Sequence, residues 1–182
     1  MMTDNKNDIT LRVVPGKDLT SQEREAVVAL CDLAYEEDME TIINQFVDPM
    51  HVLGVLEGKM VCHALWITRY LQPEGLPLMR TAYLEAVATH PDCRHRGFAS
   101  EIMRKVVEEI QDFDIAGLAP FSEDYYARLG WELWRGMLFE RTEDGLVISP
   151  PEERVMIYRL PKTPALDLDS PISVEWRVGE VW

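Results

Sequence analysis

The stretch Leu84–Ile110 constrains the fold more than any other part of the chain. Leu84 to Ala88 form an apolar run of strand length, interrupted only by Glu85. A loop with Pro91, Arg94, Arg96 and Gly97 follows. Then Phe98, Ile102, Met103, Val106, Val107 and Ile110 recur at the spacing of a helix with one buried face. A strand that feeds a glycine-containing loop at a helix N-terminus is a place to hold phosphates. First-turn N–H groups have no partner inside the helix and point outward. Gly97 lets an anion approach the backbone closely, and Ala99 keeps the next turn small. The three-glycine dinucleotide fingerprint and the Walker A lysine are both missing, which disfavours those two phosphate sites.

The chain has 182 residues, 47% of them apolar, enough for one domain with a proper core. No run approaches the length of a membrane span, and the polar start MMTDNKND does not read as a signal peptide. Cys31, Cys62 and Cys93 are odd in number and lack metal-ligand spacing, so reduced thiols and a cytoplasmic location are expected. Cys31 and Cys62 lie in apolar runs and read as core; Cys93 lies in the phosphate loop. His51, His63, His90 and His95 are not spaced like a ligand set, and no metal is expected. The net charge of -14, from 32 acidic and 18 basic residues, argues against nucleic acid as a partner. An acidic chain with a locally basic loop implies two ligands, an anionic one at Arg94 and Arg96 and a cationic one elsewhere.

Periodicity predicts a strand over 10–14. Thr20 and Glu23 have the spacing of a capping box, opening a helix through about Tyr35. Acids cluster around its end: Asp32, Glu36, Glu37, Asp38 and Glu40. Strands are expected near 51–57 and 60–70, joined by a turn at Glu57-Gly58-Lys59, then a loop over 71–78 and a strand over 80–89. Ile115 to Ala119 read as a short buried strand, and Tyr125 to Leu129 as a short helix stopped by Gly130. Strands near 131–140 and 154–160 surround a polar loop over 141–153, and 161–182 form a tail. Helices alternating with strands and hairpins indicate a mixed α/β sheet in a single domain over 1–182.

The pattern Arg94-x-x-Gly97-x-Ala99, preceded by an apolar strand, resembles the acetyl-CoA signature of the GNAT superfamily of N-acetyltransferases. That signature is Arg or Gln, two residues, Gly, one residue, then Gly or Ala. The resemblance implies the GNAT fold, a twisted mixed sheet flanked by helices whose two central parallel strands splay apart. It implies acetyl-CoA (CoA) as co-substrate, held by Val87, Ala88, Arg94, His95, Arg96, Gly97, Phe98, Ala99 and Ser100. The chain is further similar to the aminoglycoside 2'-N-acetyltransferases. The matching segments are Met50-His51, Tyr83 to Ala88, Tyr126 to Trp131, and Glu175-Trp176-Arg177-Val178-Gly179-Glu180-Val181-Trp182, which in that family reads Asp-Trp-Arg-x-Gly-Asp-Val-Trp.

This second resemblance implies transfer of an acetyl group to an aminoglycoside amine, the 2'-amine first, and antibiotic resistance. It carries acceptor contacts onto Asp38, Glu180 and Trp182 with its carboxylate by direct match, so that 161–182 contribute to the acceptor site. Glu152 or Glu153 is placed only approximately, because the loops 71–78 and 141–153 differ. Converging carboxylates suit a ligand that carries several ammonium groups. Glu85 sits in an otherwise apolar strand, where desolvation raises a carboxyl pKa. By resemblance it meets the acceptor and is the base, acting through a water, while Tyr126 protonates the leaving sulfur. Backbone N–H groups near Val87 would polarise the thioester carbonyl. Each residue also has an ordinary alternative: Glu85 a buried carboxylate paired with an arginine, Tyr126 a core aromatic, each acid a solvated surface group. The expected partners are a cationic aminoglycoside or polyamine and, as an option, a second copy in a homodimer; nucleic acid and membrane are not expected. Rival activities are acetylation of the 3- or 6'-amine, of another polyamine or of a protein N-terminus, and binding of acetyl-CoA or drug without turnover.

Overall fold

Thr20 closes a capping box: its hydroxyl accepts the Glu23 N–H, and the Glu23 carboxylate accepts the Thr20 N–H at 2.9 Å. The box fixes the start of α1 (Ser21–Tyr35) in the computed structural model, which describes residues 9–182. The polar start MMTDNKND lies outside the described residues. Two compact units are formed, one by the chain up to Ile67 with Glu85–Glu109, the other by Thr68–Leu84 with Ile110–Trp182.

In the first unit, β1 (Thr10–Pro15) pairs antiparallel with β2 (Met50–Leu56), and β2 with the first part of β3 (Lys59–Pro73). The β2–β3 turn is the expected one, with Glu57 and Gly58 both at positive φ. The C-terminal part of β4 (Met79–Thr89) is tied to β3 where the His90 N–H donates to the Val61 carbonyl at 2.8 Å. A short helix absent from the sequence reading, α2 (Met39–Ile43), follows α1. Helix α3 (Phe98–Glu109) buries Phe98, Ile102, Met103 and Val106, the face its spacing predicts.

In the second unit the strand order is β6-β9-β5-β4-β3-β10-β7-β8. Strand β5 (Ile115–Leu118) runs parallel to Thr81–Leu84 of β4, and β9 (Met156–Arg159) lies antiparallel to β5, with β6 (Glu132–Leu133) beyond it. Strand β10 (Ile172–Glu175) lies between β3, to which it is antiparallel, and β7 (Leu138–Thr142), to which it is parallel; β8 (Gly145–Ile148) forms the edge. Helix α4 (Glu123–Ala127) is capped by the Ser122 hydroxyl, and the turn that follows it closes at Gly130, whose φ of +91° suits glycine. Parallel and antiparallel pairs together make the expected mixed α/β sheet.

Four boundaries differ from the sequence reading. Strand β3 continues to Pro73, which confines the expected 71–78 loop to 74–78. The strand expected over 131–140 is two pieces, β6 and β7. Between them the Trp134 N–H turns to the Val155 carbonyl, and those of Arg135 and Gly136 to Leu168. The expected polar loop contains β8, and the tail contains β10.

The tail is fixed by a buried cation. Arg69, 2% exposed, donates through Nε to Glu175 Oε1 at 3.1 Å, through Nη2 to the Glu175 carbonyl at 2.6 Å, and through Nη1 to the Val181 carbonyl. Its guanidinium also lies 5.2 Å from the centre of the Tyr83 ring. Trp182, 2% exposed, donates its indole N–H to the Ser149 hydroxyl at 2.7 Å. Trp176, by contrast, is 53% exposed. Arg69→Met leaves two acceptor carbonyls without their donor. It is expected to cost about 2–4 kcal/mol, read as a lower urea midpoint at an unchanged m-value.

Candidate active site

The loop between β4 and α3 begins with a 3-10 turn over Pro91–Cys93, where the Asp92 N–H donates to His90 Nδ1 at 3.2 Å. His95 and Gly97 then take left-handed conformations, φ +61° and +89°. The first helical bond of α3 runs from the Glu101 N–H to the Gly97 carbonyl at 3.1 Å. The N–H groups of Phe98, Ala99 and Ser100 precede it and are directed out of the helix N-terminus. Phe98 anchors the turn in the core, and the Arg96 guanidinium lies 4.8 Å from the centre of its ring. Arg94, His95, Arg96 and Gly97 are exposed. A Cβ built on Gly97 would meet no atom within 4 Å, so this face of the loop is open. Backbone donors, a helix N-terminus and two arginines around that face fit a diphosphate.

Upstream, Ala86 has φ +49° in the middle of β4. A non-glycine residue in this region of a strand is strained, and the left-handed conformation changes the direction of the backbone groups around it. Half-buried Glu85 precedes Ala86; Val87 and Ala88 follow it. The Ala86 carbonyl accepts from His63 Nδ1 at 2.9 Å, and the Val87 carbonyl accepts from the Tyr35 hydroxyl at 3.2 Å. His63 Nε2 lies 2.9 Å from His51 Nδ1. Burial, with Arg24 nearby, pushes His51 down to about 4. Burial, with His51 beside it, pushes His63 down to about 3, so both rings are neutral at physiological pH. The sequence reading missed this support, although a histidine inside the apolar run Val61–Trp66 was the available signal. Cys31 and Cys62 are core residues as expected, and burial raises both thiols to about 12.

In the second unit, Tyr126 on α4 is 2% exposed. Its ring packs against Tyr125, Phe121 and Trp131, with centres 5.0, 5.4 and 6.2 Å away. Glu152, Glu180 and Glu140, the last not singled out by the sequence reading, lie within electrostatic reach of Glu153. Burial and the charges of Glu180, Glu152 and Glu140 hold the Glu153 carboxyl above the ordinary carboxylate range. Asp38, in the first unit, caps α2 by accepting the Glu40 N–H at 3.1 Å. It does not line the open cleft of about 420 Å³ beside α1, whose acids are Glu25, Asp32 and Glu40. Among the described residues no group of three or more His, Cys, Asp or Glu could hold a metal, and no helix is long and apolar enough to cross a membrane.

The profile of the acetyltransferase (GNAT) domain matches residues 16–134. The chain belongs to this GNAT family. Its members transfer an acetyl group from acetyl-CoA to an amine, and the chain is an enzyme of that type. An aminoglycoside 2'-N-acetyltransferase from Mycolicibacterium fortuitum is 28% identical over 180 residues, covering 95% of this chain and 92% of the relative. A GNAT family N-acetyltransferase (YhbS) from Escherichia coli, solved in complex with CoA, has a TM-score of 0.67 at 15% identity, over 97% of this chain and 94% of its own. Eis1 from Mycobacterium abscessus has a TM-score of 0.60 at 15% identity over 71% of this chain; here the chain spans about a third, 32%, of the larger protein. These two structural likenesses establish the fold.

The open face at Gly97 fits the diphosphate of CoA. Gly97→Val fills that face and forces a β-branched residue to φ +89°. It is expected to raise the KM for acetyl-CoA about tenfold or more, as when charge-assisted contacts are lost. An unchanged KM in a folded variant would remove the diphosphate from this loop.

Proposed function

We propose that the enzyme acetylates an amine of an aminoglycoside, the 2'-amine first, and so confers resistance to the drug. The observation that carries this reading is the group Glu140, Glu152, Glu153 and Glu180, in which burial first, and then the three neighbouring charges, hold the Glu153 carboxyl high. Carboxylates held against their mutual repulsion gain most from a ligand that brings several ammonium groups at once. The M. fortuitum relative, an aminoglycoside 2'-N-acetyltransferase alike over nearly the whole chain, supports the same acceptor. In this reading Asp38, Glu85, Glu152, Glu153, Glu180 and Trp182 contact the acceptor. The 182 residues act as one domain, with 161–182 serving the acceptor side. The enzyme works in the cytoplasm, where free thiols persist. The exposed apolar edge strand Leu146-Val147-Ile148 suits pairing with a second copy in a homodimer.

Acetyl-CoA supplies an acetyl thioester, and the residues do the rest. Arg94 to Ser100 hold the diphosphate, and Val87 and Ala88 hold the donor arm. Glu85 takes a proton from the acceptor ammonium through a water, leaving a neutral amine to attack. The Val87 N–H donates to the carbonyl oxygen as negative charge develops there. As the C–S bond breaks, the Tyr126 hydroxyl gives a proton to the departing sulfur and regains one from the acetylated nitrogen, while the proton on Glu85 returns to solvent. Thiol release from acetyl-CoA, measured against a panel of aminoglycosides and polyamines, tests the acceptor. Faster turnover of a linear polyamine or an N-terminal peptide than of any aminoglycoside would overturn the assignment.

Glu85→Gln is expected to leave the KM for acetyl-CoA nearly unchanged and to lower kcat by ~10²-fold, the usual scale for general acid–base catalysis. Tyr126→Phe is expected to behave alike. Parental turnover in both variants at neutral pH would place the proton transfers elsewhere.

Glu153 separates function from stability. Its pKa is raised on folding, so its ionised form destabilises the fold at neutral pH, and that cost disappears as pH falls through the raised value. Glu153→Gln is therefore expected to raise Tm. It is also expected to raise the aminoglycoside KM by about tenfold, the loss of one charge-assisted contact. A higher Tm with an unchanged KM would make the acidic group a solvated surface and no acceptor site.

A further inference from the structure

The buried histidine pair is not used by the chemistry above, yet it bears on the strained residue of β4. His63 is fully buried and His51 nearly so. A carbonyl oxygen can only accept, so the 2.9 Å contact to Ala86 requires the proton of His63 to sit on Nδ1. His63 Nε2 is then a lone pair and accepts from the Nδ1–H of His51, also at 2.9 Å. Cys31 Sγ, 3.7 Å from His63 Nδ1, is a weak second acceptor. The order of protons along this chain is thus fixed from one end to the other.

The carbonyl of Ala86 and the N–H of Val87 belong to one trans peptide and point to opposite sides of it. Whatever holds the carbonyl aims the N–H. A donor on the carbonyl also polarises the amide and strengthens the N–H as a donor. Ala86 has reason to need such a hold, because φ +49° is costly for alanine and an unanchored strand would relax towards ordinary extended geometry. We propose that His63, fixed by His51, is a positioning residue for acetyl transfer: its Nδ1–H holds the Ala86 carbonyl and thereby aims and strengthens the Val87 N–H. The proposal rests on the assignment of the Val87 N–H to the thioester carbonyl. It adds a reason for two histidines to be buried at the expense of ordinary apolar packing. Neutral rings are what this hold requires, and burial keeps both neutral well below physiological pH.

Two experiments test it. Nitrogen NMR of histidine-labelled enzyme reads the tautomer without any turnover. His63 is expected as the Nδ1–H form, the minority tautomer of free histidine; the Nε2–H form would overturn the proposal. The second experiment compares H63N, which puts an amide N–H near the position of Nδ1, with H63Q, which puts one near Nε2. H63Q is expected to lose about tenfold or more in kcat while its KM for acetyl-CoA stays within about twofold, the split of a displaced transition-state donor. H63N is expected to keep kcat within about threefold. Ala86→Gly removes the cost of the left-handed conformation, so A86G in the H63Q background is expected to recover most of the loss. Equal activity of H63N and H63Q, or no recovery with A86G, would overturn the proposal. Acetyl transfer by the parent enzyme is measured separately, so a failure of the hold is distinguishable from a failure of the assigned activity.

Discussion

A guanidinium out of water must find every one of its donors a partner, and Arg69 meets that demand with one strand and one tail. It lies on β3, and the groups that satisfy it come from Glu175 and Val181. Burial and the nearby Arg177 pull its pKa down while Glu175 pulls it up, so the network works against a large desolvation cost. The position of β10, the burial of Trp182 and the approach of Glu180 to Glu153 all follow from that anchorage. Without it the last residues would be an ordinary acidic tail. With it they become part of a surface that concentrates negative charge.

The two ends of the reaction are served by opposite physical means. The donor side, as proposed, is built from backbone: a helix N-terminus, a glycine with an open face, and the strained residue Ala86 in β4. The acceptor side, as proposed, is built from side-chain charge. Backbone donors are fixed by the fold and suit the invariant parts of a donor molecule. Carboxylates on loops and a tail can be rearranged at small cost to the fold. Family members that share the donor and differ in the acceptor are expected to differ most in the second kind of structure.

Much of this was legible in the sequence, because some elements announce themselves chemically. Thr20 with Glu23, Gly130 after α4, and the stripe from Phe98 to Val106 each carry a local cause for their structure, and each appears where its cause predicts. Strands β8 and β10 were missed for the converse reason. All four residues of β8 are exposed, so no alternation of apolar and polar residues marks it, and β10 takes its place through partners some hundred positions away in β3. The strained φ at Ala86 was invisible because alanine is not the residue that announces a left-handed conformation. Glu140 lies on a strand, and nothing in its sequence neighbours marks its approach to Glu153. Asp38 was legible as an acid at a helix end, and the structure gives it a capping bond that needs no ligand.

The placement of β10 has a consequence for how the second unit can assemble. Strands β7 and β8 form a hairpin from neighbouring residues and can pair as soon as both exist. Among the described residues they join the rest of the sheet only through β10, which comes later in the chain and must enter between β7 and β3. The sheet therefore cannot be zipped in chain order. A local hairpin must wait for a strand whose partner, around Gln72 and Pro73, is separated from it by most of the unit. Such distant closure is slow, and during the wait both edges of the hairpin are open, one of them carrying Leu146, Val147 and Ile148. Folding yield at high concentration should therefore be limited by the arrival of a single four-residue strand.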